Sequence, residues 1–578
     1  MGSKVVPTID FADITNPEQS QAFVNQLRRS GVAIIRNVIP KDTATSWRQE
    51  ASEYLSQNPG TRAVPTKDPQ LYELYWSPAQ IKARAHPNVI SAQKFAMGIW
   101  ESKDPHAKVS TNFPITYADR VRIRTTRTCR TGGGGGDDDE SNRPSPSAHV
   151  DNGSVERWEP DGYGRAGTYK DIFEGRWEDY NPWESSSRVQ VTSDLYQGAG
   201  SCSIFRMFQG LLAMSPINSS SSSSEDPDSD QDSLQVCPMP QLATAYFLLR
   251  PFFSPSPSTS PASSSPTLAS SSSVAGEGAA EESWLFDHPH NSILHGALPS
   301  YAQDINPTLH PHLQLDRSLV TIPAMEPGDY VVWHPDLIHV VDGPYRRRCQ
   351  PQLQPQPQPN HHTSQNQQQL PHHQKQPPTP QPQTPHQQNP PQQQTTKTIF
   401  RQSMSLYLPC CPLTQTNALY LSRQRKAFLL GKPGPDFGGS SGSGLSQALF
   451  HQGYKNYGLY GTYSNGGYGG GGSEYGGGGY GYGGVGERGN GLGLFGHLRN
   501  NSSVSSCGSG SNGMGGDESS HLGRAGVQDV NDAGGDDGLR TMGLLPWDEE
   551  DAETEAEREV LAMANGILFP DLYDYGRM

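Results

Sequence analysis

Three residues of this sequence have the types and spacing to do metal chemistry together. The stretch Ala148-His149-Val150-Asp151-Asn152-Gly153-Ser154 places an imidazole and a carboxylate two positions apart in a segment of strand character. Residues i and i+2 of a strand share a face, so His149 and Asp151 would stand side by side. Two histidines and one carboxylate around open coordination positions are a donor set for non-haem Fe(II), so this pair asks for one more imidazole. The candidate is His339, which opens the run Val340-Val341 after a turn at Pro335-Asp336. His334 is its rival, because His334-Pro335-Asp336 is a second His-x-Asp.

The elements that must hold these residues are short. Pro17 to Arg29 carries Phe23 and Leu27 at helical spacing, with Asn16 or Thr15 as the cap. Gly31 to Ile39 is a β-branched strand ended by Pro40, and a second helix is expected from Lys41 to Ser56 with Ala44, Trp47, Ala51 and Leu55 on one stripe. Helix is also expected around Val89 to Ile99. Tyr117 to Arg124 alternates apolar and basic residues, a strand with two distinct faces. Further strands are expected within Val189 to Ser215, from Leu242 to Phe253, Leu319 to Pro323, Tyr330 to Trp333 and Phe400 to Pro409, with a turn at Glu326 to Asp329. Asn417 to Leu430 reads as an amphipathic helix stopped by Gly431 and Pro433, and Asp548 to Ile567 as a terminal helix burying Val560, Leu561, Ala564 and Ile567. Many short strands, frequent turns and peripheral helices predict a mainly β protein with flanking helices, built as an antiparallel double-sheet barrel. Distant strands adjoin in such a barrel, so the long separation of His149 from His339 is no obstacle.

Composition sets the organisation. A chain of 578 residues with 33% hydrophobic content, 62 glycines and 49 prolines does not devote its whole length to core. The expected plan is one domain over 1–435, interrupted by low-complexity insertions at about 131–147, 218–236, 254–283 and 349–397. A Gly/Ser/Tyr-rich insertion follows over 436–519, and a tail and helix over 520–578 pack back on the domain. The net charge of −15 argues against nucleic-acid and anionic-membrane partners, which need a basic surface. Seven scattered cysteines, with no C-x-x-C pair and no secretory signal, predict reduced thiols in an intracellular, cytoplasmic protein. No apolar run reaches the roughly 18 residues of a membrane span.

Five stretches closely resemble one family. They are Tyr117 to Arg124, His149 to Trp158, Phe205 to Gly210, Ala245 to Phe253, and Pro327-Gly328-Asp329 through Trp333-His334-Pro335-Asp336-Leu337-Ile338-His339. The family is that of fungal and bacterial N-acetylglucosamine-induced-protein-like domains, and it looks like a branch of the Fe(II)/2-oxoglutarate oxygenases on a double-stranded β-helix, or jelly roll. The resemblance runs from about residue 5 to 435 without the insertions, and resumes near His521 through Trp547 to the terminal helix. It implies that His149, Asp151 and His339 are the iron ligands, with no catalytic residue beyond them.

The same resemblance implies 2-oxoglutarate as cosubstrate, O₂ as oxidant and a small molecule as substrate. The far carboxylate of 2-oxoglutarate needs a cation, best the fork of an arginine. In related oxygenases this arginine often lies in an Arg-x-Ser pattern on the strand after the distal histidine, which Arg401-Gln402-Ser403 matches. Arg206, flanked by Phe205 and Phe208, is a competitor, and Arg124 is a third. Glu156, Arg157 and Trp158 are placed to order the ligand pair, and Tyr180 and Trp183 to line the mouth. An alternative of a different class is a jelly-roll sensor that binds a metal or ligand without turnover. A third reading makes the Gly/Tyr and Gln/Pro segments the basis of an assembly protein. Nothing in the sequence sets the oligomeric state.

Overall fold

Short β-branched runs pair into two facing sheets, and helices cover the outer sides. The computed structural model describes residues 2–64, 69–128, 147–198, 201–218, 234–255, 284–288, 292–341, 399–437 and 521–573. The insertions expected at 131–147, 254–283, 349–397 and 436–519 lie outside these residues except at their edges. The insertion expected over 218–236 ends earlier, because Leu234–Val236 is a fully buried strand.

In chain order the strands are β1 Thr8–Asp10, β2 Val32–Arg36, β3 Ala63–Val64, β4 Leu71–Tyr72, β5 Val109–Ile115 and β6 Val121–Thr128. Then come β7 Ala148–Val150, β8 Gln209–Ala213, β9 Leu234–Val236, β10 Phe253–Pro255, β11 Trp284–Phe286 and β12 Gln303–Ile305. The last are β13 Val320–Thr321, β14 Tyr330–Trp333, β15 His339–Val341, β16 Ile399–Tyr407 and β17 Cys411–Thr414. The large sheet has eight strands in the order β1-β2-β14-β8-β16-β6-β4-β3, and the small sheet five, β12-β7-β15-β9-β13. Only the β1–β2 pair is parallel among the described strand pairs. Leaving out β12, the strands β6, β7, β8, β9, β13, β14, β15 and β16 fall in the large, small, large, small, small, large, small and large sheet.

Period-2 alternation sorts each strand between two cores. Val32, Ile34, Leu211, Val331 and Trp333 of the large sheet meet Leu234 and Val236 of the small sheet in the space between them. The opposite parity of the large sheet, including Ala33, Ile35, Leu212, Val332 and Met404, packs under helices α1 Pro17–Ser30, α2 Lys41–Gln57, α3 Pro78–Ala85 and α4 Pro87–Met97. The back of the small sheet, with Ala148, Val150, Ile338 and Val340, packs against α5 Pro240–Leu249.

That last helix corrects the strand expected from Leu242 to Phe253. The run is apolar on every side, and Ala243, Thr244, Ala245, Phe247 and Leu248 are all buried. A strand and a fully buried helix look alike in such a run; ten residues and a proline in the first turn favour the helix. Within Val189 to Ser215 only Gln209–Ala213 is strand. Beyond β17 lie α6 Gln415–Leu430, capped by Thr414 and ended at Gly431, then α7 Val527–Thr541 and α8 Glu555–Leu568. Of these, α7 was not expected, and α8 begins later than its predicted Asp548.

The turn feeding β14 is tightly specified. Asp329 accepts from the backbone N–H of Glu326 at 2.9 Å and of Asn37 at 3.0 Å, and it pairs with Arg36 at 2.6 Å. Gly328 has φ +97, and a Cβ there would stand 1.9 Å from the Ile39 carbonyl oxygen. Gly328→Ala is therefore expected to cost about 2–4 kcal/mol of stability, read as a lower urea midpoint.

Candidate metal centre

His149 and His339 are directly opposite each other on antiparallel neighbours β7 and β15. Their ring centroids are 4.4 Å apart. Asp151, one residue past the end of β7, approaches both: its Oδ2 lies 3.4 Å from His339 Nε2 and its Oδ1 3.8 Å from His149 Nε2. One ligand atom from each of the three residues lies within 4.8 Å of the others. Among the described residues, no other group of three histidines, cysteines or carboxylates is so placed.

Both imidazoles are oriented the same way. His149 Nδ1 is 3.1 Å from the Ser147 carbonyl oxygen, and His339 Nδ1 is 2.9 Å from that of Leu337. Each Nδ1–H donates to the carbonyl two residues back, which leaves Nε2 as the basic nitrogen on the Asp151 side. This arrangement fixes the tautomer of a metal-ligating histidine. Asp151 keeps 29% of its side chain exposed, so the centre opens to solvent on one side. Burial would raise the Asp151 carboxyl, but its contact with His339 and the neighbouring His149 and Arg206 hold it well below the usual carboxylate range.

The loop after β7 is held from beneath. Arg157 is fully buried and donates to the carbonyl oxygens of Asp151 and Gly153, both at 2.5 Å. Tyr163 donates to the Asn152 carbonyl at 2.7 Å, and Asn152 sits at φ 60. Glu156 accepts from Ser154 N–H at 2.7 Å, and Trp158 Nε1 donates to Leu248 O at 3.2 Å. Arg206 donates to Asn152 Oδ1 at 2.8 Å and lies 4.0 Å from Asp151.

His334, the rival ligand, is used otherwise. Its Nδ1 accepts from Asp336 N–H at 3.0 Å, its Nε2–H donates to Pro182 O at 2.9 Å, and its ring stacks on Trp100 with centroids 5.1 Å apart. Asp336 is fully buried, paired with Arg188 at 2.6 Å, and accepts from the hydroxyls of Tyr169 at 2.9 Å and Tyr180 at 3.4 Å. Tyr180 and Trp183 are thus buried in this network rather than lining the mouth. Arg188 carries no local signal, since its partner Asp336 is far away in the chain.

Of the arginines considered for 2-oxoglutarate, Arg206 lies at the metal rim. The backbone of Arg401 lies in β16 opposite Thr126, and its side chain falls outside the described residues. Ser403 pairs with Arg124 and lines a small cavity of about 30 Å³ between the sheets. That cavity is also lined by Arg122, Ser405, Leu211, Val331 and Val341. Val341 is two residues on from His339, so the cavity begins just behind the centre. Arg122 was not singled out from the sequence; the alternating basic strand was its signal.

Fold and cluster together define a two-sheet protein with a His-Asp-His centre at one end of its inter-sheet space. A family model described as Gig2-like matches residues 1–456, and the chain belongs to that family, as the resemblance of its motifs implied. The uncharacterized protein YbiU of Escherichia coli (strain K12) is 29% identical over 352 residues, 59% of this chain and 69% of that one. The crystal structure of GlcNAc Inducible Gene 2, GIG2 (DUF1479), from Candida albicans is similar with a TM-score of 0.60 at 21% identity, covering 99% of this chain and 86% of the other. This last likeness is one of fold. The four described cysteines that can be assigned, Cys202, Cys237, Cys410 and Cys411, are free thiols. No helix among the described residues is long and apolar enough to cross a membrane.

Burial pushes His334 down to about 4 from an ordinary value of 6.5, with Asp336 only partly opposing it. The unfolded chain therefore takes up a proton that the folded one refuses, and stability falls as pH drops from about 6.5 towards 4. His334 should account for about 2 kcal/mol of lost stability at pH 5 relative to pH 7. Denaturant titrations should show a shallower pH slope over that window for His334→Phe than for wild type.

Proposed function

We propose that the protein is a non-haem Fe(II)/2-oxoglutarate-dependent dioxygenase that oxidises a small molecule, on a double-stranded β-helix core. The observation that carries this reading is the His149–Asp151–His339 cluster. It has two imidazole Nε2 atoms, one carboxylate and an open side, which is the donor set suited to Fe(II) with vacant positions. The distribution of these eight strands over the two sheets, four in each, supports the jelly-roll part.

Bound Fe(II) would supply the redox chemistry, in which 2-oxoglutarate, O₂ and R–H become succinate, CO₂ and R–OH. The chain's own residues supply placement. His149 and His339 present Nε2, and Asp151 presents a carboxylate held ionised. Arg157 and Tyr163 fix the loop that carries Asp151, while the Arg188–Asp336 pair fixes the turn that leads to His339. Apolar walls at Leu211, Val331 and Val341 keep water from the space behind the centre.

Strand register bears on where the far carboxylate of 2-oxoglutarate is held. Along β16, Tyr407 pairs with Leu211 and Ser405 with Ala213, so the strand runs from the Gln209–Trp333 end at Tyr407 to the far end at Arg401. Trp333 has its ring centroid 5.5 Å from that of His339, which marks the metal end. Arg122 pairs with Ser405, four positions nearer this end than Arg401. We therefore assign the far carboxylate to Arg122, with Ser403 and Ser405 beside it. Arg206 is assigned to the rim, where it steadies Asp151 and Asn152.

The test is anaerobic protein with Fe(II) and 2-oxoglutarate, watched for the weak visible charge-transfer band of the chelated keto acid. Wild type should give the band, and His339→Ala should abolish it. Iron bound without a band would instead mark a sensor that does not use 2-oxoglutarate. In the same titration, Arg122→Met should weaken 2-oxoglutarate binding about 10- to 100-fold, and Arg401→Met should leave it near wild type. The reverse pattern would return the role to Arg401.

A further inference from the structure

We infer that Gln209 and Trp333 form a neutral hydrogen-bond donor pair for the metal-side carboxylate of the keto acid, an inference that rests on the function proposed above. The two residues are directly opposite each other on β8 and β14. Cross-strand partners share a face, and Trp333 belongs to the core between the sheets. Its ring lies against that of His339. Trp333 is fully buried and Gln209 is 4% exposed.

Gln209 Nε2 and Trp333 Nε1 are both buried and have no hydrogen-bond partner among the described residues. Buried donors in folded proteins are nearly always paired, because leaving one unmet forfeits its hydration. Two unmet donors on neighbouring strands, beside a metal-ligand candidate, are accounted for together if a ligand completes them. The chemistry of that ligand follows from the donors. Both present an unpaired N–H, so they match an oxygen acceptor, which the carboxylate of a keto acid supplies.

Position selects which carboxylate. Arg122, Ser403 and Ser405 lie deeper between the sheets and take the far end. Gln209 and Trp333 stand level with His339, where the chelating end must lie.

Fe(II)-loaded wild type, Gln209→Leu and Trp333→Phe would be titrated anaerobically with 2-oxoglutarate and followed by the visible band. Fe(II) affinity would be measured separately against a competing chelator, and Tm measured without ligand. Each variant should raise the 2-oxoglutarate Kd about 10- to 100-fold with Fe(II) affinity unchanged. Gln209→Leu should keep a ligand-free Tm at or above wild type, since it removes a donor that had no partner. A wild-type band with unchanged Kd in both variants overturns this inference and leaves the proposed function standing. Weaker binding of Gln209→Leu together with a lowered ligand-free Tm also overturns it, in favour of a structural role. No band in wild type overturns the proposed function and this inference with it.

Discussion

The pairing of β7 with β15 is the contact on which the candidate centre depends. It is made by three-residue strands from distant parts of the chain, and its register places His149 directly against His339. A slip of one residue would turn each imidazole to the opposite face of the sheet. The register is held because the other parity is already committed: Ala148, Val150, Ile338 and Val340 are buried against α5. The apolar back of the small sheet thus fixes which way its polar front points.

Strands this short cannot aim side chains by pairing alone, and the segments flanking them are fixed by buried arginines. Arg157 binds two carbonyl oxygens of the loop after β7. Arg188 neutralises Asp336 in the turn before β15. A buried ion pair contributes uncertain net stability, because desolvation offsets attraction. Its effect here is geometric: the Asp336 carboxylate gathers Arg188, Tyr169 and Tyr180 into one arrangement of the turn. The Asp336 N–H and the distant Pro182 carbonyl occupy the two ring nitrogens of His334, which separates the two His-x-Asp motifs into one structural and one open to solvent.

Much of this was legible in the sequence, and the limits have physical causes. His149 and Asp151 were readable as a same-face pair because strand periodicity is local. Helix α1 was readable from its Asn16 cap, and α6 from its stop at Gly431. α5 was not, since an apolar run buried on all sides carries no period. α7 was not either. Its Gly534-Gly535 pair reads as a breaker, yet a Cβ at Gly534 would lie 1.9 Å from the Ala85 carbonyl, so packing against α3 requires the residue that propensity counts against. Arg188 was invisible because its partner lies far along the chain. The matching Arg-x-Ser pattern pointed to Arg401, whose side chain falls outside the described residues.

The space between the sheets shows where folding and chemistry compete. A sandwich of this kind is most stable when both inner faces are apolar, and Val32, Ile34, Leu211 and Val331 follow that rule. The rest departs from it with Arg122, Ser403, Ser405, Gln209 and the Trp333 indole nitrogen. Each unmet buried donor costs about 1–3 kcal/mol, a substantial fraction of a domain's net stability of about 5–15 kcal/mol. A core tuned for stability alone would not keep a buried donor unpaired. These groups also follow a direction, with neutral donors level with His339 and a cation and two hydroxyls deeper between the sheets. That gradient is what a short anion with two carboxylates, chelated at the open end, would require of the walls around it.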